Sequence, residues 1–333
     1  MSLDASVIVP TFNRRELLME LLASLGRQSL ARDRFEVLVM DNGSSDGTAR
    51  EVARFAAGNP GLQLKFHVME VNRGPVVSRN RGAELAAGGI LCFTDSDVVV
   101  PEDWLERGLA AFHRTPELAM LSGPTVDKPD QRHTFFSVGA GNSYAENPIY
   151  PTSNVMYRKC VFEEVGGFDA EATRGDLMGV AFECNDVDLA WKVIGKGFRK
   201  EFLPEMAVFH EVRQEPLNRW FAVQMRVFYL PAMVRRHPGI RSSILWFGPF
   251  VAPENLLYYI AVASLALSWA LRSPWWLLGL APMCLWFLPF LRRNWPPLRW
   301  PKLAAQLGMI LVRQTLICGA LLCGSVRSRQ MVL

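Results

Sequence analysis

The first hundred residues alternate short, mostly apolar runs with stretches of helical periodicity, and three of the four runs stop abruptly at polar clusters. Ser6 to Pro10 (SVIVP) gives way to Thr11, Phe12, Asn13 and Arg14. Phe35 to Met40 ends at Asp41 and the turn-rich DNGSSDGT, and Ile90 to Thr94 (ILCFT) ends at Asp95, Ser96 and Asp97; Leu64 to Val68 is the remaining run. Apolar runs without alternation suit strands buried on both faces. From Arg15 to Gln28, Leu17, Leu18, Leu21, Leu22 and Leu25 recur at three and four, which predicts a helix. A second helix is expected from a Ser45 or Asp46 cap towards Ala57, and a third from Pro75 to Ala87. Strand and helix in this alternation predict an α/β chain with a mainly parallel sheet and right-handed crossovers. In such sheets ligands collect beyond the carboxyl ends of the strands, where Thr11, Asp41 and Asp95 fall. A dinucleotide-binding version of the fold is disfavoured, because no Gly-x-Gly-x-x-Gly follows the first strand.

Further on, the pattern predicts a helix from Pro101 to Arg114, a strand near Leu118 to Gly123 and a Gly/Asn/Pro-rich stretch from Gly139 to Asn154. A helix around Val161 to Val165 leads into GGFD at Gly166 to Asp169, then a loop to Gly179, and a helix from Asp186 to Ile194.

Charge divides the chain near residue 241. Of 36 Lys/Arg and 32 Asp/Glu, the segment 242–333 holds eight basic residues and one acid, Glu254, so the remainder is slightly acidic. The positive charge thus lies among Trp, Leu and Phe, which argues against a nucleic-acid groove. Ile244 to Leu271 and Trp275 to Leu291 are apolar enough for membrane spans. Arg235, Arg236 and Arg241 precede this pair, Arg292, Arg293, Arg299 and Lys302 follow it, and only Arg272 lies between. The positive-inside rule then predicts a hairpin with both outer ends cytoplasmic. Leu303 to Cys323, with Gln306, Arg313 and Gln314 on one helical face, either spans or lies along the interface. The expected organisation is a catalytic domain at 1–215, a juxtamembrane amphipathic helix at 216–241 and a membrane region with two or three helices at 242–333. The scattered cysteines and an N-terminus without a basic run and apolar core fit a cytoplasmic catalytic domain on a multi-pass inner-membrane protein.

Asp95 and Asp97 are two apart in extended chain, so their carboxylates point to one side and can share a divalent cation. A helix-capping cluster ahead of Pro101 and Glu102 is the plainer alternative. SVIVPTFNR, VLVMDNGSSDGT, NRGPVVSRNRG and FTDSD, occurring in that order, together resemble the inverting family 2 glycosyltransferases of the GT-A fold over residues 5 to about 215.

The resemblance implies a nucleoside-diphosphate-sugar donor, usually UDP-linked, and a Mn²⁺ or Mg²⁺ cofactor. Pro10, Thr11, Asn13 and Arg14 match the loop lining the nucleotide, and Asp41 the acid that meets the base. Asn72, Arg73 and Gly74, with Arg79 and Asn80, match the stretch beside ribose and sugar. Asp95, Ser96 and Asp97 match the metal-and-diphosphate motif, and His210 a histidine near the same metal. Phe182 to Lys192 (FECNDVDLAWK) matches the family's acidic helix start, which places the general base on Asp186. Asn185 stands where a Glu is usual, with Glu183 a substitute for it. A carboxylate at Asp186 is what in-line attack by an acceptor hydroxyl needs, although Asp186 and Asp188 also suit a first helical turn electrostatically. The Gln-x-x-Arg-Trp box of processive synthases is not matched at Arg219 and Trp220, so transfer of one sugar is expected. The acceptor is expected to be a lipid-linked or membrane-proximal glycan in envelope polysaccharide or glycolipid synthesis, with membrane lipids as partners. A polyprenyl-phosphate sugar synthase and a non-catalytic sugar-nucleotide-binding protein on the same fold remain the alternatives.

Overall fold

A computed structural model describes residues 3–134, 136–140, 143–169, 174–177, 180–282 and 300–333. The chain divides into two units, residues 1–176 with 181–215, and residues 216–333 with 177–180.

The first unit begins as the apolar runs require. Strands β1 (Ala5–Thr11), β2 (Phe35–Asp41), β3 (Leu64–Val68) and β4 (Ile90–Phe93) alternate with helices α1 (Arg15–Leu25), α2 (Thr48–Gly58) and α3 (Pro75–Leu85). Then come β5 (Val98–Val99), α4 (Trp104–Arg114), β6 (Leu118–Ser122), β7 (Thr125–Asp127), β8 (Ser137–Val138), β9 (Val155–Arg158) and α5 (Lys159–Glu164). Two paired strands, β10 (Arg174–Leu177) and β11 (Val180–Glu183), precede α6 (Asn185–Gly195), β12 (Arg199–Phe202), β13 (Val208–His210) and β14 (Arg213–Gln214).

Seven strands form one sheet in the order β12-β6-β9-β4-β1-β2-β3. All run in one direction except β9, which is antiparallel to both β4 and β6. Every residue of β1 and β2 is buried, as expected of strands covered on both faces. Alternation sends Val7, Val9, Val37 and Val39 into the large core with α1 and α4. Ile8 and Met40 meet α3, where Gly82 is closely applied: a Cβ there would lie 2.6 Å from Ile8.

Pro10 shows why a proline is tolerated in this central strand. The pairing of β1 with β4 ends at Ile8 opposite Phe93, and the Ile8 carbonyl accepts the last bond on that side, from the Thr94 N–H. Two residues on, Pro10 faces the same side past the end of β4, where no ladder bond awaits an N–H.

The structure departs from the sequence expectations in three places. Strand β9 follows a Pro-rich stretch and lacks alternation because Val155, Met156 and Tyr157 are all buried, so both of its faces are covered. The stretch expected as a loop to Gly179 contains β10. Residues 217–244 are not one amphipathic helix but separate segments, Leu217–Gln224, a 3₁₀ turn Met225–Tyr229, Leu230–Arg236 and Ile240–Ile244. Pro231 and Pro238 supply no N–H to continue a ladder through them.

In the second unit, Pro253–Leu271 and Leu307–Ser328 are long and apolar enough to cross a membrane by length and composition. The latter lies within a helix Trp300–Ser328. Gln314 donates to Asn255 Oδ1 at 2.8 Å, Tyr258 to Thr315 at 3.0 Å and Tyr259 to the Cys318 carbonyl at 3.0 Å, so a polar seam joins the two helices. Much of the second expected span, with Arg292, Arg293 and Arg299, lies outside the described residues.

One buried amide braces the middle of the first unit. Asn154 accepts from the Trp104 indole at 2.9 Å and donates to the carbonyls of Pro124 (2.8 Å) and Met206 (2.6 Å). Asn154→Ala strands three buried partners. The expected loss is about 3 kcal/mol or more of unfolding free energy, measured by denaturant titration of the full chain.

Candidate active site

The ends of β1, β2 and β4 converge, and the loops after them are tied together. Asn13 takes a left-handed backbone (φ 51°), from which its N–H donates to Ser44 Oγ and its Oδ1 accepts from the Ser45 N–H, both at 2.8 Å. Ser44 in turn donates through its N–H and hydroxyl to Asp41. The N-cap of α2 is Gly47 (φ 86°), with no side-chain cap bond, rather than the expected Ser45 or Asp46; Asp46, one residue earlier, accepts from the Thr48 hydroxyl, from the Thr48 N–H at 3.1 Å and from the Arg15 N–H at 2.9 Å, so one carboxylate ties two helix starts together. Burial alone would raise its pKa, but these bonds outweigh it and hold the carboxyl below its ordinary value.

Asp95 and Asp97 close β4, and His210 reaches them from β13. The antiparallel pairing of β13 with β5 sets His210 opposite Val98, and the Glu211 N–H donates to the Asp97 carbonyl at 2.9 Å. Ligand atoms of Asp95, Asp97 and His210 lie within 4.8 Å of one another. His210 Nδ1 lies 2.8 Å from the Glu211 carbonyl, which fixes the ring with Nε2 towards Asp97 Oδ1 at 3.4 Å. That Oδ1 is buried and makes no hydrogen bond. An orphaned carboxylate oxygen beside a second carboxylate and an imidazole fits a divalent cation with oxygen and nitrogen ligands.

Two arginines hold these acids. Arg14 donates to Asp97 Oδ2 and Arg79 to Asp95 Oδ1, each at 2.6 Å. Burial pushes the Asp95 carboxyl up, but the charges of Arg79, His210 and Arg14 prevail and its pKa is lowered. Asp186, in the first turn of α6, is driven the other way. Burial is the main cause, the negative charge of Asp95 adds to it, and the carboxyl is pushed up to about 6 despite a bond from the Val187 N–H and the charge of Arg79. Asp188 pairs instead with Lys192 at 2.8 Å, along its own helix.

The other expected site residues are distributed as follows. Pro10 and Thr11 are buried in β1, Thr11 with an Oγ1 that makes no hydrogen bond, and Ser96 is buried between the two acids. Asn72 accepts from the Gly74 N–H at 3.1 Å, and Gly74 (φ 87°) turns the chain into α3. Arg73 lines a groove between β3 and α3 with His67, Val71 and Arg81. Asn80 is committed to the protein: its amide donates to the Phe168 carbonyl at 2.8 Å and accepts from the Phe168 N–H at 3.0 Å, clasping the GGFD turn. The Glu183 side chain lies outside the described residues.

Tyr157 was not foreseen. It sits on β9, its hydroxyl is buried without a hydrogen bond, and burial together with the neighbouring Asp186 raises its pKa. Its strand reads VMYR in the sequence, four residues, too short and too irregular to mark it.

Residues 6–166 match the sequence model of a family described as Glycosyl transferase family 2. Among curated relatives, glycosyltransferase AglE of Haloferax volcanii is 27% identical over 72% of this chain and 79% of its own length. The pre-mycofactocin glycosyltransferase of Mycobacterium tuberculosis is 28% identical over 74% of this chain, which spans about half of that relative (50%). Among solved structures, the mannosyltransferase PcManGT of Pyrobaculum calidifontis, in complex with GDP-Man and Mn²⁺, superposes over 99% of this chain and 88% of its own with a TM-score of 0.59 at 21% identity. Staphylococcus aureus TarS in complex with UDP-GlcNAc covers 80% of this chain and 81% of its own, with a TM-score of 0.50 at 21% identity. The fold is the GT-A type, an α/β fold with a mainly parallel central sheet.

The Asn80 clasp is open to a direct check. Asn80→Ala should speed amide exchange at Phe168 about tenfold or more while leaving β1 and β2 protected, as hydrogen-exchange mass spectrometry would read it.

Proposed function

We propose, on the match of residues 6–166 to the Glycosyl transferase family 2 model, that the chain moves one sugar, with inversion, from a nucleoside-diphosphate sugar to a lipid-linked or membrane-proximal glycan hydroxyl. The observation that carries this reading is Asp186: a carboxyl pushed up to about 6, within electrostatic reach of Asp95 and Arg79. A base in that range is ionised at neutral pH and basic enough to take a hydroxyl proton.

Asp41 and the loop clasped by Asn13 are assigned to the nucleotide, and Arg14 and Arg79 face the diphosphate. Asp95, Asp97 and His210 would hold Mn²⁺ or Mg²⁺, which supplies charge neutralisation to the departing diphosphate. Asp186 accepts the acceptor's proton as its oxygen attacks the anomeric carbon from the side opposite the leaving group, and the new bond inverts that centre. Asn72, Arg73 and Gly74 are assigned to the ribose side of the donor. Asn80 acts on the site by fixing the GGFD turn.

The C-terminal unit is read as the membrane region of an inner-membrane protein whose catalytic domain faces the cytoplasm. Supporting this, Pro253–Leu271 and Trp300–Ser328 turn polar groups towards each other, while Trp269, Leu271, Leu311 and Val312 are exposed. That is the inside-out distribution that lipid favours. Tethering keeps a membrane-borne acceptor at high effective concentration beside Asp186.

Full-length protein screened against UDP- and GDP-sugars should transfer one sugar to a hydroxyl acceptor and lose activity with chelator. Asp186→Asn should abolish transfer while nucleotide binding is kept; undiminished turnover would sink the base assignment, and turnover kept only on a polyprenyl phosphate would indicate the synthase alternative.

The transfer rate of wild type should fall as pH drops through about 6, where Asp186 takes up its proton. The same raised pKa gives a stability signature. Protonated Asp186 stabilises the fold, and that gain, complete below the ordinary carboxyl range, is lost as pH rises through about 6. Asp186→Asn should therefore melt higher than wild type at pH 7.5, with the difference closing towards pH 4.

A further inference from the structure

We infer that Arg14 is an internal competitor for the divalent cation, so that this site takes its metal tightly only when a nucleoside diphosphate arrives with it. The inference rests on the metal role proposed for Asp95, Asp97 and His210, and it concerns what those acids do before donor binds.

Both acids already have counter-ions, and the two arginines differ. Arg79 is enclosed: its side chain is 7% exposed, its guanidinium lies 6.0 Å from the Phe168 ring, and Phe168 is held by Asn80 on the same helix. It cannot leave Asp95 without opening that cluster. Arg14 is 33% exposed and precedes α1 at the mouth of the site, yet it holds Asp97, which is 2% exposed, at 2.6 Å. Its partner atom is Oδ2, while the other oxygen of the same carboxylate, Oδ1, is buried and without a hydrogen bond.

With Arg14 in place, a cation entering beside Oδ1 meets a guanidinium on the same carboxylate and Arg79 on the next one. Two positive charges within a few ångströms oppose a dication in a partly buried site, where screening is weak. Arg14 must give way for the cation to gain the full charge of Asp97. In water alone that exchange gives the guanidinium no new anion. A diphosphate does, since guanidinium matches phosphate oxygens as well as carboxylate. Metal and nucleoside diphosphate therefore bind with positive coupling, and by linkage each tightens the other by the same factor.

The test reads metal binding through loss of the free Mn²⁺ electron-paramagnetic-resonance signal on titrating the full chain, with and without saturating UDP or GDP, after subtracting the loss that the nucleotide causes without protein. Wild type should bind Mn²⁺ weakly alone and about tenfold or more tightly with the nucleotide that fits. Arg14→Gln should bind Mn²⁺ alone more tightly than wild type, by about tenfold, and show a correspondingly smaller further gain from nucleotide, the part that remains being the direct attraction of cation and diphosphate. A variant that merely misfolds would bind metal more weakly, so the expected change has the opposite sign to damage. Arg14→Lys keeps the charge and should retain the wild-type order of affinities. Mn²⁺ binding that is tight in wild type without nucleotide, or unaltered or weakened by Arg14→Gln, would overturn the inference and leave the metal site standing. No Mn²⁺ binding by any of these proteins with either nucleotide would overturn both.

Discussion

The parallel pairing of β1 between β2 and β4 is the constraint from which the site descends. β1 and β2 end in register, Thr11 opposite Asp41, so the Asn13 and DNGSSDGT loops leave the sheet side by side and bind one another. β4 stops short, its pairing finished at Phe93 opposite Ile8, so its continuation is released from the ladder near the end of β1. Asp95 and Asp97 lie in that released segment. The short β5 and its partner β13 then bring in His210 from over a hundred residues away. A strand shift of one residue would reverse which side chains face α3 and which face α1, and would carry the acids with it.

Crowding acids at buried strand ends is unfavourable unless each is matched. Arg14 and Arg79 supply that matching for Asp97 and Asp95. Asp186 accepts the Val187 N–H but pairs with no arginine among the described residues, and its basicity rises accordingly. One environment thus separates two kinds of carboxyl: Asp95, whose pKa the neighbouring cations lower, and Asp186, whose pKa is pushed up to about 6, suited to moving a proton. Glu36 on β2 shows the structural counterpart. Its burial is offset by Lys65 at 2.7 Å, the Ala87 N–H and the Ser6 hydroxyl, and its pKa is lowered at a point remote from the strand ends.

Much of the first unit was legible because its signals are local. Strands buried on both faces, β1 and β2, show as largely apolar runs, and the half-exposed edge strand Leu64–Val68 also appears with the bounds read from the sequence. The acids at strand ends were visible for the same reason. Pairing across the chain was not. Nothing in Arg14 or Arg79 tells which acid each holds, and Asn80, assigned to the donor by resemblance, spends both amide atoms on Phe168. β9 escaped because VMYR has neither the length nor the alternation of a strand signal, and Tyr157 escaped with it. The single amphipathic helix expected at 216–241 is divided because prolines at 231 and 238 count for more than apolar periodicity in so short a stretch.

Asp186 illustrates how position alone converts an ordinary residue into a reactive one. Asp186 and Asp188 are both acids in the first turn of α6, where the helix dipole favours either. Asp188 is fully buried, yet Lys192 one turn along its own helix matches its charge at 2.8 Å. Asp186 lies towards the strand ends, where the nearest strong charges are Asp95, which raises its pKa, and Arg79, already committed to Asp95. Two residues along one helix therefore separate a satisfied carboxylate from one whose charge the fold opposes. The helix supplies the position, the sheet supplies the opposing charge, and the resulting cost in stability at neutral pH is the same quantity that would serve the base role proposed for Asp186.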